Sequence, residues 1–502
     1  MQHDRAARIA LVPLDERPVN TRLPAMVAAV AGADCQLPPP DVLGRFRTPA
    51  DTDGIADWLG TAADGADAAV VCLDTLGYGG LIPSRITAED TETVLRRWAV
   101  LRELRTAVPD RPLYGVSVVM RASNSYHGDE EPPYWPRVGR ELHELGAVLH
   151  AERTGDPVAP RRRAELESLV PQDIRADFLT RRLRNHVLNL EAIRLAAAGV
   201  FDTLLVTSDD TAEYAAGSVE GDWLRYWISA LHAGGTVLAH PGADEVGSVL
   251  VAKALLRHAG LAPTVRVHCP VPGADARIAP YENVPVAQTA ARQVAAAGGR
   301  LVTDGPADLH LVLNPPAVDG AGWGVGFAPD PDPAAVAPVA ATVRDLLGAG
   351  HLVALADVRY VNGADPVLLS HLGAELTGLA GYAGWNTAGN TIGSVLGHGL
   401  ARFAGLRTGT GDETAHRRLL GHRLLEDAGY QADVRNEVAT ALGGTGANLR
   451  PTDLADAERR VADGLADRLA AAPWRAGLRL VPGSVRLPWG RTFEVDFALE
   501  SA

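Results

Sequence analysis

Thr203-Leu204-Leu205-Val206-Thr207-Ser208-Asp209-Asp210 (TLLVTSDD, 203–210) is an apolar run that stops on two adjacent carboxylates. β-branched and aliphatic residues in a run this short predict a buried strand. Neighbouring carboxylates repel each other and disfavour a strand interior, so the strand, expected over 203–210, comes to its end at the pair. Two explanations for the pair stay open. Either aspartate could cap a following helix through the backbone N–H groups of its first turn, or the pair stands where parallel α/β proteins keep their chemistry, at the carboxyl end of a strand.

The same pattern recurs on both sides. Strands are expected at 7–15, 68–74, 113–121, 236–240, 264–270, 309–316, 351–360 and 378–386, separated by amphipathic helical stretches such as 93–108, 177–199, 244–260 and 286–299. Strands that are apolar on both faces and alternate with helices predict an α/β protein with a parallel sheet under helical cover. A closed barrel and an open doubly wound sheet both satisfy that pattern. Polar side chains follow the strands repeatedly, at Asp15-Glu16-Arg17, Asp74, Arg121, Asp209-Asp210, His240, Asn314 and Asn386. Their number favours a (β/α)8 TIM-like barrel, in which all strand ends converge on one pocket. Nine strands exceed eight, so the expected division is a first barrel part over 1–260, an inserted or appended α/β segment over 261–350, the remaining barrel strands over 351–410, and a helical region with a β tail over 411–502.

The chain has 502 residues, 47% of them hydrophobic and 22% charged, which is enough to bury a large core and excludes disorder as the main state. A net charge of −14 argues against a nucleic-acid partner, because phosphate recognition needs a basic field. The first residues carry no charged segment leading into an apolar one, and no apolar run reaches the roughly 18 residues of a membrane span. A soluble cytoplasmic protein without a membrane partner is expected. Cys35, Cys72 and Cys269 are isolated, which fits reduced thiols and offers no metal knuckle. The alternating charges of the C-terminal helical stretches suit a solvated face or a homo-oligomer contact.

Further candidates lie beyond the aspartate pair. Asp74 ends a strand before the glycine-rich GYGGLIPSR (77–85), where it could grip a hydroxyl group and Arg85 an anion. RASNSYHGDEEPPYWPR (121–137) reads as a pocket wall, with Arg121, Asn124 and Glu131 as polar contacts and Trp135 as a stacking ring. Asp244 and Glu245 begin a helix after His240, so Asp244 is either a cap or a substrate contact. His240, Asp244 and Glu245, joined by the aspartate pair, could also make a mixed nitrogen and oxygen metal site, although their spacing matches no strong metal signature. Asp365 follows an Asn-Gly turn as a cap or a hydroxyl ligand. Trp385, Asn386 and Asn390 sit in GWNTAGNTIG (384–393), which lacks the lysine of a phosphate-binding loop.

PLDERPVN (13–20), LDTLGYGGLIPSR (73–85), RASNSYHGDEEPPYW (121–135), GADEVG (242–247), VNGAD (361–365) and GWNTAGNTIG (384–393), in that order, resemble the bacterial family catalogued as domain of unknown function 4127. That family name implies no reaction. An Asp-Asp pair at a strand end followed by a Trp-Asn segment is also similar to family 84 glycoside hydrolases, the O-GlcNAcase-like hexosaminidases. The resemblance implies a retaining β-N-acetylhexosaminidase in which the substrate's own 2-acetamido oxygen attacks the anomeric carbon, with no cofactor. It implies that Asp209 orients the acetamido group, that Asp210 is the general acid/base, and that Asn386 and Asn390 hold the sugar. The remaining substrate contacts expected are Asp15, Arg17, Asp74, Arg121, Asn124, Glu131, Trp135, Asp244, Glu245, Asp365 and Trp385. Ser208 stands where those relatives have an aromatic residue. The alternative is a divalent-metal-dependent hydrolase or isomerase acting on a sugar or small polar metabolite.

Overall fold

The computed structural model describes residues 6–443, 448–475 and 477–501. The first five residues, on which the reading of the N-terminus partly rests, lie outside them. The strand of TLLVTSDD runs over Thr203–Ser208 and ends immediately before Asp209, two residues short of the expected 210, because the adjacent carboxylates are excluded from the strand.

Eleven strands form two parallel sheets. The first contains β1 Arg8–Val12, β2 Asp34–Gln36, β3 Ala68–Cys72, β4 Leu113–Val119, β5 Thr203–Ser208 and β6 Val237–Pro241, in the order β2-β1-β3-β4-β5-β6. Every pairing in it is parallel. The second contains β7 Thr264–His268, β8 Arg300–Leu301, β9 Leu309–Asn314, β10 Val353–Asp357 and β11 Gly381–Ala383, in the order β11-β10-β9-β7-β8, again all parallel. The α/β class and the parallel strands are as the sequence predicts. Where a barrel would need one sheet of eight strands, the hydrogen-bonded pairing among the described residues runs in two, of six and five. The second sheet takes β7 to β9 from the 261–350 segment and β10 and β11 from the 351–410 segment.

The two sheets share one apolar core. Leu11, Val70, Val116 and Leu205 of the first and Val265, Leu309, Leu311 and Ala354 of the second join a single buried cluster. Two helices, Val246–His258 and Ala388–Thr408, contribute Leu250, Val251, Ile392, Leu396 and Leu400 to it. Both helices are apolar on nearly every face along most of their length, where neighbouring elements cover them. Gly397 shows how closely they meet: a Cβ there would stand 3.0 Å from the Ser248 carbonyl oxygen. The outer face of the first sheet carries a second cluster and the outer face of the second sheet a third.

The chain closes with helix Leu454–Ala471, then an antiparallel pair of β12 Leu478–Leu480 with β13 Leu499–Ser501. Between these strands, residues 488–496 cross back over the body. Trp489 Nε1 donates to Glu16 at 2.6 Å, and Arg22 bonds Asp496. No helix among the described residues is long and apolar enough to cross a membrane.

Candidate active site

Chain direction is the same in every strand of the first sheet, so all its carboxyl ends open on one edge. Strand order reverses between β1 and β3, and at such a switch point the connections leave in opposite directions and a crevice forms. A cleft of about 530 Å3 occupies that edge, with Arg17, Arg85, Arg121, Asp209, Asp210 and Asp244 in its wall. These residues follow β1, β3, β4, β5 and β6. The parallel strand ends of the first sheet therefore bring several of the polar residues selected from sequence to one cleft.

Asp209 and Asp210 project into the cleft, and each is held by its own arginine. Arg85 Nη2 donates to Asp209, and Arg121 Nη1 donates to Asp210 at 2.8 Å. Glu130 joins the two cations, accepting from Arg85 at 3.0 Å and from Arg121 at 2.8 Å, and it also pairs with Arg491 of the C-terminal crossing. Burial works against the charge on Glu130, but Arg121, Arg491 and Arg85 together hold its carboxyl well below the usual range. The Asp209 side chain is 15% exposed and that of Asp210 29%, so Asp209 is the deeper of the two. Burial, followed by the charge of Asp210, raises the Asp209 pKa against the pull of Arg85. One carboxyl inclined to hold a proton thus stands beside a more accessible one.

A second polar knot closes the opposite wall. Arg17 donates to Asp15 at 2.7 Å and to Asp244 at 2.6 Å, Asn20 bonds both carboxylates, and Asn386 donates to Asp244 Oδ2 at 3.0 Å. Asn386 follows β11, so this contact links the strand ends of the two sheets. Burial raises the Asp244 pKa while Arg17 opposes it. Asn390 accepts from the backbone N–H groups of Ala243 and Asp244 at 3.0 and 2.9 Å and thereby fixes the turn that carries Asp244. It positions the wall instead of lining it.

Backbone strain concentrates here. Seven non-glycine residues have positive φ among the described residues, and five of them line this cleft: Asp210, Tyr281, Asn362, Asn386 and Trp489. Such conformations cost free energy and persist where the surroundings over-determine them, characteristically at functional sites.

Of the residues selected from sequence, Arg17, Arg121, Asn124, Asp209, Asp210, Asp244 and Asn386 line the cleft, with Asp15 directly behind Arg17. Glu131 is buried behind Arg121 at 3.4 Å, and burial raises its pKa against Arg85. Others stand elsewhere. Asp74 is buried and accepts from the Val118 N–H at 3.1 Å, tying β3 to β4, with burial pushing its pKa to about 6. Trp135 starts helix Trp135–Arg153 and packs its ring 5.9 Å from Phe178, in a cluster with Leu142 and Ile174, so it is a core residue and not a stacking platform. Trp385 is buried behind Phe493, with ring centroids 5.6 Å apart. Asp365 caps helix Pro366–Leu372, and its backbone N–H donates to Asp357 at 2.7 Å.

Glu245 faces away from the cleft, toward Gln293 at 2.7 Å and the His240 ring at 3.6 Å, and burial pushes its pKa to about 7. Asp244 is engaged by Arg17, Asn20 and Asn386. His240, Asp244 and Glu245 thus do not converge, and among the described residues no three His, Cys, Asp or Glu side chains are grouped as a metal set.

Sequence reasoning missed Glu130, Tyr281, Asn362, Trp489, Arg491 and Phe493 in the lining. The last three belong to PWGRTFEVDF (488–497), whose density of aromatic and charged residues was the one local signal of their role.

Residues 9–498 match the model of the family described as Protein of unknown function (DUF4127), and the chain belongs to that family. No curated protein and no solved structure matches it.

Proposed function

We propose, for this member of a family whose description carries no reaction, that the cleft is the active site of a glycoside hydrolase: a retaining β-N-acetylhexosaminidase in which the substrate's acetamido group is the nucleophile. The observation that carries the reading is the Asp209-Asp210 pair, set at a strand end within a cluster of strained residues, with one carboxyl more buried than its neighbour.

The character of the cleft supports a neutral, hydroxyl-rich ligand. Its four arginines are engaged by carboxylates, so neither a strongly anionic nor a strongly cationic ligand is favoured, while Asn124, Asn362 and Asn386 supply both donors and acceptors. Tyr281, Trp489 and Phe493 offer apolar surface to a sugar ring.

In the proposed reaction the acetamido oxygen attacks the anomeric carbon as the glycosidic C–O bond breaks. A carboxylic acid of the pair gives its proton to the leaving oxygen, and the other carboxylate accepts a hydrogen bond from the acetamido N–H in the bicyclic oxazoline intermediate. Water then opens that ring from the same face, losing its proton to the carboxylate that first acted as acid, which restores the pair and retains configuration. Asp210, the more accessible member, is assigned the acid/base step and Asp209 the acetamido contact. Burial raises the pKa of Asp209 and so favours a proton beside Asp210, which is the member placed to deliver it.

The test is turnover of chromogenic β-N-acetylglucosaminide and β-glucoside side by side, with and without EDTA. Chelator-insensitive cleavage of the N-acetylated compound alone is expected. Equal cleavage of both sinks the substrate-assisted mechanism, and loss of activity in EDTA points to a metal-dependent reaction.

A further inference from the structure

We propose that a second, apolar groove beside the cleft binds the aglycone of the same substrate, so that the natural substrate is an N-acetylated glycoside of an alkyl or aryl alcohol; this rests on the glycosidase reading above. The groove encloses about 820 Å3, within the size range of small-molecule sites. Its walls come from three distant parts of the chain: Pro39 and Leu43 after β2, Leu454 at the start of helix Leu454–Ala471, and Leu487 and Pro488 of the C-terminal crossing. Prolines fix φ, so these walls are largely preformed.

Adjacency to the cleft, through shared walls, identifies the occupant. Arg17 and Trp489 border both spaces. Trp489 stands between them in a left-handed backbone conformation, its indole N–H on Glu16 at 2.6 Å and its ring stacked on Phe46 with centroids 4.6 Å apart. The Arg491 guanidinium lies 4.4 Å from the same ring. One side of this partition presents arginines, aspartates and asparagines; the other presents more apolar than polar surface, its leucines and prolines interrupted by Glu16, Arg22, Arg45, Glu458 and Arg486. A ligand that uses both sides has a polar sugar and an apolar substituent. A methylene taken out of water strengthens binding roughly fourfold, so even partial entry of a short chain is measurable.

The test compares methyl and hexyl β-N-acetylglucosaminide by isothermal titration calorimetry, with hydrolysis of both followed in parallel, on the wild-type protein and on Leu43→Asp and Leu454→Asp. These variants change parts of the lining that come from distant segments of the chain, so one serves if the other fails to fold. The wild type is expected to bind the hexyl compound at least tenfold more tightly than the methyl compound, and each folded variant to bring the two within about twofold. Equal affinities in the wild type, or an advantage that survives in the folded variants, overturn the groove assignment while hydrolysis of the methyl compound leaves the glycosidase reading standing. If the methyl compound neither binds nor turns over and the hexyl compound binds through its chain alone, both the aglycone assignment and the glycosidase reading are overturned.

Discussion

Arg17 and Asp244, 227 residues apart in sequence, meet at 2.6 Å with both side chains almost wholly buried. The pair joins the loop after β1 to the turn after β6, and Arg17 also holds Asp15 at 2.7 Å and approaches Glu494 of the C-terminal crossing at 3.9 Å. One guanidinium thus faces three acidic groups in this wall of the cleft. Removing one partner of a buried pair leaves uncompensated charge and costs about 3–5 kcal/mol. Arg17→Met is expected to lose stability of that order, read from urea unfolding. A loss below about 1 kcal/mol would show that water reaches these carboxylates and that the knot is not structural.

Asp209→Asn and Asp210→Asn should behave differently from Arg17→Met. Arg85 and Arg121 both retain Glu130 when either aspartate is neutralised, so no arginine is left without an acid and the fold should hold. Loss of a general acid typically costs 10²–10⁴ in rate, so about that fall in kcat is expected for Asp210→Asn with little change in unfolding midpoint. Asp209→Asn should lose activity selectively on N-acetylated substrates. Wild-type turnover by Asp210→Asn would remove it from the acid/base role.

The stretch TLLVTSDD could be read locally because the repulsion between Asp209 and Asp210 and the apolar run before them act over neighbouring residues. Strand order could not. It depends on registers such as Ile9 opposite Ala68 and Val265 opposite Leu309, which join distant segments and leave no local periodicity. The polar residues after each strand suggested convergence, and Arg17, Arg121, Asp209, Asp210 and Asn386 do meet at one cleft, whereas Asp74, His240 and Asn314 bond within the body; a parallel sheet with a switch point is enough to gather the first set. Trp135 and Trp385 show the other limit: an aromatic residue beside polar neighbours looks the same in sequence whether its ring faces a ligand or, as here, Phe178 and Phe493. The C-terminal lining escaped notice because its contacts, Trp489 with Glu16 and Arg491 with Glu130, span several hundred residues.

Trp135→Ala tests the corrected placement. Truncating a fully buried aromatic residue costs about 3–5 kcal/mol through lost burial and the cavity left behind. A destabilisation of that size is expected, with substrate KM unchanged at temperatures where the variant remains folded. A raised KM with unaltered stability would return Trp135 to the binding surface.

The buried carboxyls behind the cleft predict a pH dependence of stability. Burial raises Glu282 to about 8 and Glu245 to about 7, from an ordinary value near 4.5. A raised folded pKa means the folded state holds more protons than the unfolded chain between those limits, so the contribution is complete below about pH 4.5 and is lost as pH rises toward 8. Glu282 accepts from the Gly389 N–H at 2.7 Å, a bond that a glutamine oxygen can also accept. Glu282→Gln is therefore expected to flatten the fall in urea midpoint between pH 5 and pH 8. An unchanged slope would mean that Glu282 is already charged in the folded protein at neutral pH.

The central claim, that the acetamido group of the substrate is the nucleophile held by Asp209 and Asp210, is tested most directly by binding of an N-acetylglucosamine-derived thiazoline, a stable mimic of the oxazoline intermediate. Transition-state and intermediate mimics bind roughly 10²-fold or more above the substrate they resemble, because the site complements the reacting form. Titration calorimetry is expected to show the thiazoline binding at least that much more tightly than N-acetylglucosamine, with the advantage lost in Asp209→Asn. Equal affinity for the two compounds in the wild-type protein would contradict the account.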